Sequence, residues 1–330
     1  MTILTYNITP TAKQVCKRFS LLIILSLFLQ SAFAQFALNT NGRTFTGSVN
    51  YRYKSLFLIK CDSCVFEDEV DFKNATFTRE AIFSNAIFKE DTKFEKVNFK
   101  AKGNFLNSTF SKKADFGYIN TYSVLDFTNA IFNDEALFWM SNLSESVYFN
   151  STVFKDDVVL LKSKINKAFF SNTSIMGEAR FDNMYATDSL VFTNVKFTKM
   201  LNLDSAQLGT QLIFDSVSFN GIVRLRGTIL PDILQLKNTN FELPLDFDKC
   251  IPNETGSCLL YLENVDVTNC WFNFQFMKLW FPHDSPLSSQ QQTNLYKKLL
   301  ALEKKRKRTE SYEALKKQMD DFDNAPKEVY

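Results

Sequence analysis

From Phe66 to Phe247 a large apolar residue returns at alternating steps of five and six. One phase of the rhythm reads Phe72, Phe83, Phe94, Phe105, Phe116, Phe127, Phe138, Phe149 and Leu160. The other reads Phe77, Phe88, Phe99, Phe110, Thr121, Phe132, Leu143, Phe154 and Ile165, with Thr121 its only departure. Two residues before these positions stand small or aliphatic residues such as Ala75, Ala81, Ala86, Val97, Gly103, Ser108 and Ala114. A residue and its i−2 neighbour share a face in an extended strand, where side chains alternate. On a helix the same offsets scatter around the axis and form no apolar stripe. Each unit therefore reads as a short strand with a small and a large inward side chain, followed by a corner.

The corners differ in chemistry. In the five-residue step the second residue after the large one is often asparagine, as at Asn74, Asn85, Asn107, Asn129, Asn183, Asn194 and Asn238. Asparagine tolerates left-handed backbone and bonds its own turn, which suits a tight corner. The six-residue step carries charged or small residues there, among them Arg79, Glu90, Ala101, Lys112 and Asp134. Between Ile165 and Phe170 one residue is missing, and the spacing predicts a locally tightened corner.

Strands this short are unstable alone and must pair with copies of themselves one turn along the chain. Short and long corners stack on their own kind only if each turn holds an even number of units. A four-sided coil of about 22 residues meets that condition, and a three-sided one does not. The expected fold is thus an all-β solenoid, with Phe72, Phe94, Phe116 and Phe138 in one interior ladder and Phe83, Phe105, Phe127 and Phe149 in another.

Units such as Asp71-Phe72-Lys73-Asn74-Ala75-Thr76-Phe77 and Ser84-Asn85-Ala86-Ile87-Phe88 resemble pentapeptide-repeat proteins over roughly Cys61 to Phe247. That family implies a right-handed, four-sided β-helix and a structural or protein-interaction role. Some relatives mimic DNA, which needs a strongly acidic surface that this chain lacks.

The first 34 residues read as an export signal, with Lys13, Lys17 and Arg18 ahead of an apolar run from Phe19 to Leu29 and then Ala32-Phe33-Ala34. That run is short for a membrane span, so cleavage after Ala34 is expected and membrane attachment is not supported. Removing three of 38 basic residues leaves 35 against 36 acidic, a balance without the clustered basic face that nucleic acid rewards. Residues 35–60 are off the rhythm and are expected to cap the solenoid over 61–281. After Pro244 and Pro252 the run Trp271 to Phe276 alternates as a strand covering the last coil. Pro282 to Pro286 forms a linker, and over 282–330 two apolar stripes predict a helical hairpin. They are Leu295, Leu299, Leu302 and then Tyr312, Leu315, Met319, Phe322.

Little in the chain carries chemistry. The single histidine, His283, lies in the linker, and the acid pairs Asp134-Glu135 and Asp156-Asp157 read as corner solvation. Cys61-Asp62-Ser63-Cys64 has redox-motif spacing, but both cysteines fall on inward phases and read as buried structural residues. Cys250 and Cys258 flank a short loop and form a candidate disulfide. Tyr148, Phe169 and the nearby Trp139 form a candidate interaction patch. No catalytic, cofactor or metal residues are assigned. The expected activity is that of a non-catalytic exported scaffold or interaction module whose partner is another protein, self-association through the terminal helices included. The alternative is a carbohydrate-binding or carbohydrate-active β-helix of the cell envelope.

Overall fold

The computed structural model describes residues 36–324. The expected leader, residues 1–34, lies outside the described residues. Two-residue strands pair in parallel with the strand one coil away, Thr92 lying opposite Val70 and Ala114, and Phe110 opposite Phe88 and Phe132. The offset is the expected 22 residues, with four inward rows per coil. Strands Val49–Asn50 to Val223–Arg224 make a nine-stranded sheet, here side one. Strands Thr44–Phe45 to Asn240–Phe241 make a ten-stranded sheet, side four. Sides two and three belong to one 15-stranded sheet, because strands such as Asn142–Tyr148 and Lys164–Ser171 run through the corner between them.

The interior is a set of stacked rings. Phe72, Phe94, Phe116 and Phe138 stack at centroid spacings of 5.1, 4.7 and 5.1 Å. Phe83, Phe105, Phe127 and Phe149 stack at 5.2, 4.9 and 5.4 Å. The two ladders meet edge to face, Phe94 and Phe105 at 5.3 Å and 90°. All eight rings are fully buried. Burial stabilises by about 1.5–3 kcal/mol per ring, and the stacked and edge-on geometries add to it.

Every asparagine named above adopts positive φ, between 48° and 60°. At the corner between sides three and four these side chains also bond along the stack. Asn129 donates to Asn107, and Asn107 to Asn85, both at 2.9 Å. Where the small inward residue is Ser or Thr, its hydroxyl donates to the carbonyl of a large residue in the preceding coil. Ser141 reaches Phe116, Thr152 reaches Phe127 and Thr228 reaches Leu203, each at 2.8 Å. Buried hydroxyls are thereby satisfied.

Between Leu56 and Leu262 the coil changes length three times, always at the corner between sides two and three. The missing residue before Phe170 appears as a bulge, the register passing from Leu143 opposite Ile165 to Ser146 opposite Lys167. The same deletion occurs earlier, since Leu56 pairs with Phe77 but Ile59 with Ala81. Residues 36–60 are therefore a coil of the solenoid and not the separate cap expected at 35–60. Their rhythm was masked by that deletion and by Tyr51, which stacks on Phe72 in the place of a phenylalanine. The third change is an insertion, the offset growing from 22 residues at Ile229–Ile251 to 26 at Ile233–Leu259. A corner crossed by continuous extended strand absorbs a bulge, whereas the corners locked by a left-handed residue have no slack.

The C-terminal end is closed as expected by two helices, α1 (Ser289–Lys305) and α2 (Thr309–Asn324). Ser288 and Gln291 form a capping box that starts α1. The run after Trp271 is not the single covering strand expected. Phe272 stacks on Phe247 as a further coil position, and a turn then leads to the strand Met277–Leu279. This last coil has no described strand on its outer edge, and the helix pair supplies the missing partners. Arg306 donates to the carbonyls of Cys270 and Thr268 at 2.6 and 2.7 Å, and Arg308 to that of Phe272 at 2.8 Å. Gln318 accepts from the Leu279 amide at 3.0 Å and donates to the Met277 carbonyl at 2.9 Å. Glu303, 1% exposed, pairs with Arg308 at 3.0 Å and fixes the bend.

Two substitutions test this core. Phe105→Ala removes a ring held between Phe83 and Phe127 and should cost about 3–5 kcal/mol in denaturant unfolding. Thr121 is 1% exposed and its hydroxyl has no hydrogen-bond partner. Thr121→Val keeps the shape and should gain about 1 kcal/mol in the same measurement.

Candidate interaction surface

Positive φ also occurs at the corner between sides one and two, but there the occupants change. In place of asparagine stand Tyr53, Lys96, Tyr118, Met140 and Lys162, with φ of 59°, 60°, 56°, 52° and 55°. Such residues in the left-handed region cost of order 1 kcal/mol or more each. The backbone is paying strain to place long side chains along one outer edge. Tyr53 is 70% exposed and Met140 41%. The Trp139 ring packs edge-on against Tyr118 at 4.6 Å, and the Lys96 ammonium lies 5.3 Å from the Tyr118 ring.

The neighbouring outward row on side one is apolar at the same level. Leu137 and Val159 are paired in register, and Leu161 stacks beyond Trp139 through the Met140 amide. Gly117 makes room for the indole, since a Cβ there would lie 2.5 Å from Trp139 Nε1. Burial in this setting pushes the Asp115 carboxyl above the ordinary carboxylate range, against the opposing bond from the Gly117 amide at 2.8 Å. The result is an apolar and aromatic ridge of Tyr118, Leu137, Trp139, Met140 and Leu161, with Lys96 and Lys162 on either side.

The three residues expected as one patch are divided between two sides. Tyr148 and Phe169 do stack, at 5.1 Å, but on side three, opposite the side that leads into Trp139. Sequence proximity misled here because nine residues carry the chain around two corners. Tyr118, Gly117 and Met140 were not singled out, although a signal existed: the asparagine expected by the repeat is missing at 96, 118, 140 and 162.

The cysteines pair differently from the expectation. Cys61 and Cys64 are joined by a disulfide, with Cα atoms 5.3 Å apart across a tight corner. Cys250 and Cys258 do not bond to each other, and with Cys270 they are buried free thiols. The reason is that the loop between them is the inserted segment, which separates two inward positions on different sides. Burial pushes the Cys258 and Cys270 thiols up to about 12 and raises Cys250 as well. The acid pairs bond their own corners, Asp134 accepting from the Glu135 amide at 2.7 Å and Asp156 from the Asp157 amide at 2.9 Å. His283 is exposed in the linker. Among the described residues no cluster of three or more His, Cys, Asp or Glu is placed to hold a metal ion.

Surface charges pair between coils, as in Lys89–Glu67 and Lys93–Glu69 at 2.8 Å and Lys102–Asp126 at 3.2 Å. These exposed pairs contribute little stability but hold opposite charges side by side along the outside. In a chain starting at Gln35, thiol titration without reductant should find no reactive cysteine in the native state at pH 8 and three after denaturation; one would instead indicate a Cys250–Cys258 bridge.

Residues 62–109 match the family model described as pentapeptide repeats (9 copies). Neither the curated proteins nor the solved structures searched gave a match. The matched segment lies in the most regular coils, and the same register of parallel two-residue strands continues beyond it to Asn240–Phe241. The chain is thus a pentapeptide-repeat solenoid of 22-residue coils closed at its C-terminal end by a helical pair.

Proposed function

We propose that the protein is an exported, non-catalytic interaction module that holds another protein against the ridge around Tyr118 and Trp139. The observation that carries this reading is the backbone strain at 96, 118, 140 and 162. The fold has a strain-free residue for that corner and uses it at Asn74 and Asn183, so the substituted positions serve something other than stability. The partner suited to this surface carries an apolar patch with acidic residues beside it, to meet the ring edges and the ammonium of Lys162. Most of the remaining surface is occupied by charge pairs between coils, which resist nonspecific association.

Export is supported by the charged and apolar segments before Ala34 and by the Cys61–Cys64 disulfide, a bond that persists in oxidising compartments. Among the described residues no helix is long and apolar enough to cross a membrane. The helices α1 and α2 serve chiefly to seal the last coil in this reading, because their polar side chains are spent on its edge.

Tyr118→Asn separates the two roles of this corner. It should raise unfolding stability by about 1 kcal/mol through relief of left-handed strain. With Trp139→Ala it should also abolish cross-linking to envelope proteins in cells producing the tagged chain. Unchanged cross-linked products in both variants would remove the ridge from the function.

A further inference from the structure

A second feature of the surface has no role in the coil and stands apart from the ridge. The inserted loop, residues 253–257, rises at the corner between sides two and three. It walls a recess of about 280 Å³ that reaches back across the coils to Tyr185. The loop is built around one side chain. Asn253 Oδ1 accepts from the Thr255 hydroxyl at 2.7 Å and the Ser257 amide at 3.2 Å, while Asn253 Nδ2 donates to Asp232 Oδ1 at 2.7 Å. The last bond ties the loop to the coil beneath it.

The floor of the recess is made by an omitted side chain. Gly209 adopts φ +62°, and a Cβ there would lie 2.6 Å from the Ala186 carbonyl oxygen. Corner positions in the preceding coils carry Ser144, Asn166 and Thr187, so Gly209 leaves a gap in a row of side chains. At the far wall Tyr185 is 40% exposed, with its ring available to a ligand. Gln207, Thr210, Asp232 and Glu254 complete the polar lining, and no lysine or arginine belongs to it.

This chemistry narrows the ligand class. An anion finds no cationic partner here, and a purely apolar molecule would strip water from amides and carboxylates without replacing it. A metal ion is disfavoured because no group of three acidic, histidine or cysteine side chains converges. A neutral polyhydroxylated ring satisfies the whole lining. Its C–H face rests on the negative face of the Tyr185 ring, and its hydroxyls donate to Asp232 and Glu254 and exchange bonds with Gln207 and Thr210. We infer that the recess beneath the 253–257 loop binds one ring of a neutral saccharide chain. The recess is open and at the small end of ligand sites, which suits an internal ring of a longer chain better than an enclosed free sugar. The inference concerns binding and does not depend on the ridge.

The test is saturation-transfer NMR on the full chain with cellohexaose, xylohexaose, mannohexaose and chitohexaose as probes. At least one should receive saturation from the protein. Tyr185→Ala and, separately, Glu254→Gln should weaken its binding about tenfold or more with an unchanged circular dichroism melt. Both residues are exposed, so loss of folding is not the expected cause. Trp139→Ala should leave saccharide binding unchanged, which keeps this result separate from that for the ridge. No transfer to any of the four, or equal transfer to both recess variants, overturns the inference. So does calcium chloride alone raising the melting temperature of the wild type but not of Asp232→Asn, which would identify a cation site.

Discussion

A strand of two residues cannot persist by itself, so each coil of this protein exists only because another coil hydrogen-bonds to it. That dependence organises the rest. Pairing in register at 22 residues places every phenylalanine over its counterpart, and the stacked rings exclude water from the backbone bonds that align them. Corners must then repeat in kind, which is why left-handed residues recur at matching places in successive coils. The stack is as regular as its least tolerant corner.

The same dependence makes an end a problem to be solved. The last coil exposes amides and carbonyls that inside the stack would meet another coil. Here Arg306, Arg308 and Gln318 imitate that absent coil with side-chain donors and acceptors. The basic residues between the helices therefore act on strand edges, and Glu303 is buried among them as the counter-charge. Function is left to positions that stacking does not require. The ridge uses strained corner residues, and the recess uses an insertion at the one corner able to accept changes of length.

Much of this architecture was legible before any coordinates. The alternation of five and six, the small residue at i−2 and the asparagine corners each follow from short-range stereochemistry, and all reappear in the structure. The slip before Phe170 was legible for the same reason. The first coil was not, because Tyr51 and the deletion between Leu56 and Cys61 break the pattern that identifies later coils. The cysteines show the limit of spacing as a guide. Cys61 and Cys64 bond because a left-handed residue at Ser63 folds their positions together, whereas the more suggestive pair, Cys250 and Cys258, is held apart by the loop it flanks.

The interaction surface was the least legible part. Trp139 was visible in the chain, but its neighbours there, Tyr148 and Phe169, lie on the opposite side, and its actual partner Tyr118 is 21 residues away. By itself the sequence determined the period, the inward residues and the kind of corner, since these depend on contacts along the chain and on repetition. The tertiary structure alone decided which outward residues meet, which thiols pair and where a recess opens. Those outcomes depend on the direction each corner turns and on the length of each coil, and one residue gained or lost moves every outward side chain that follows.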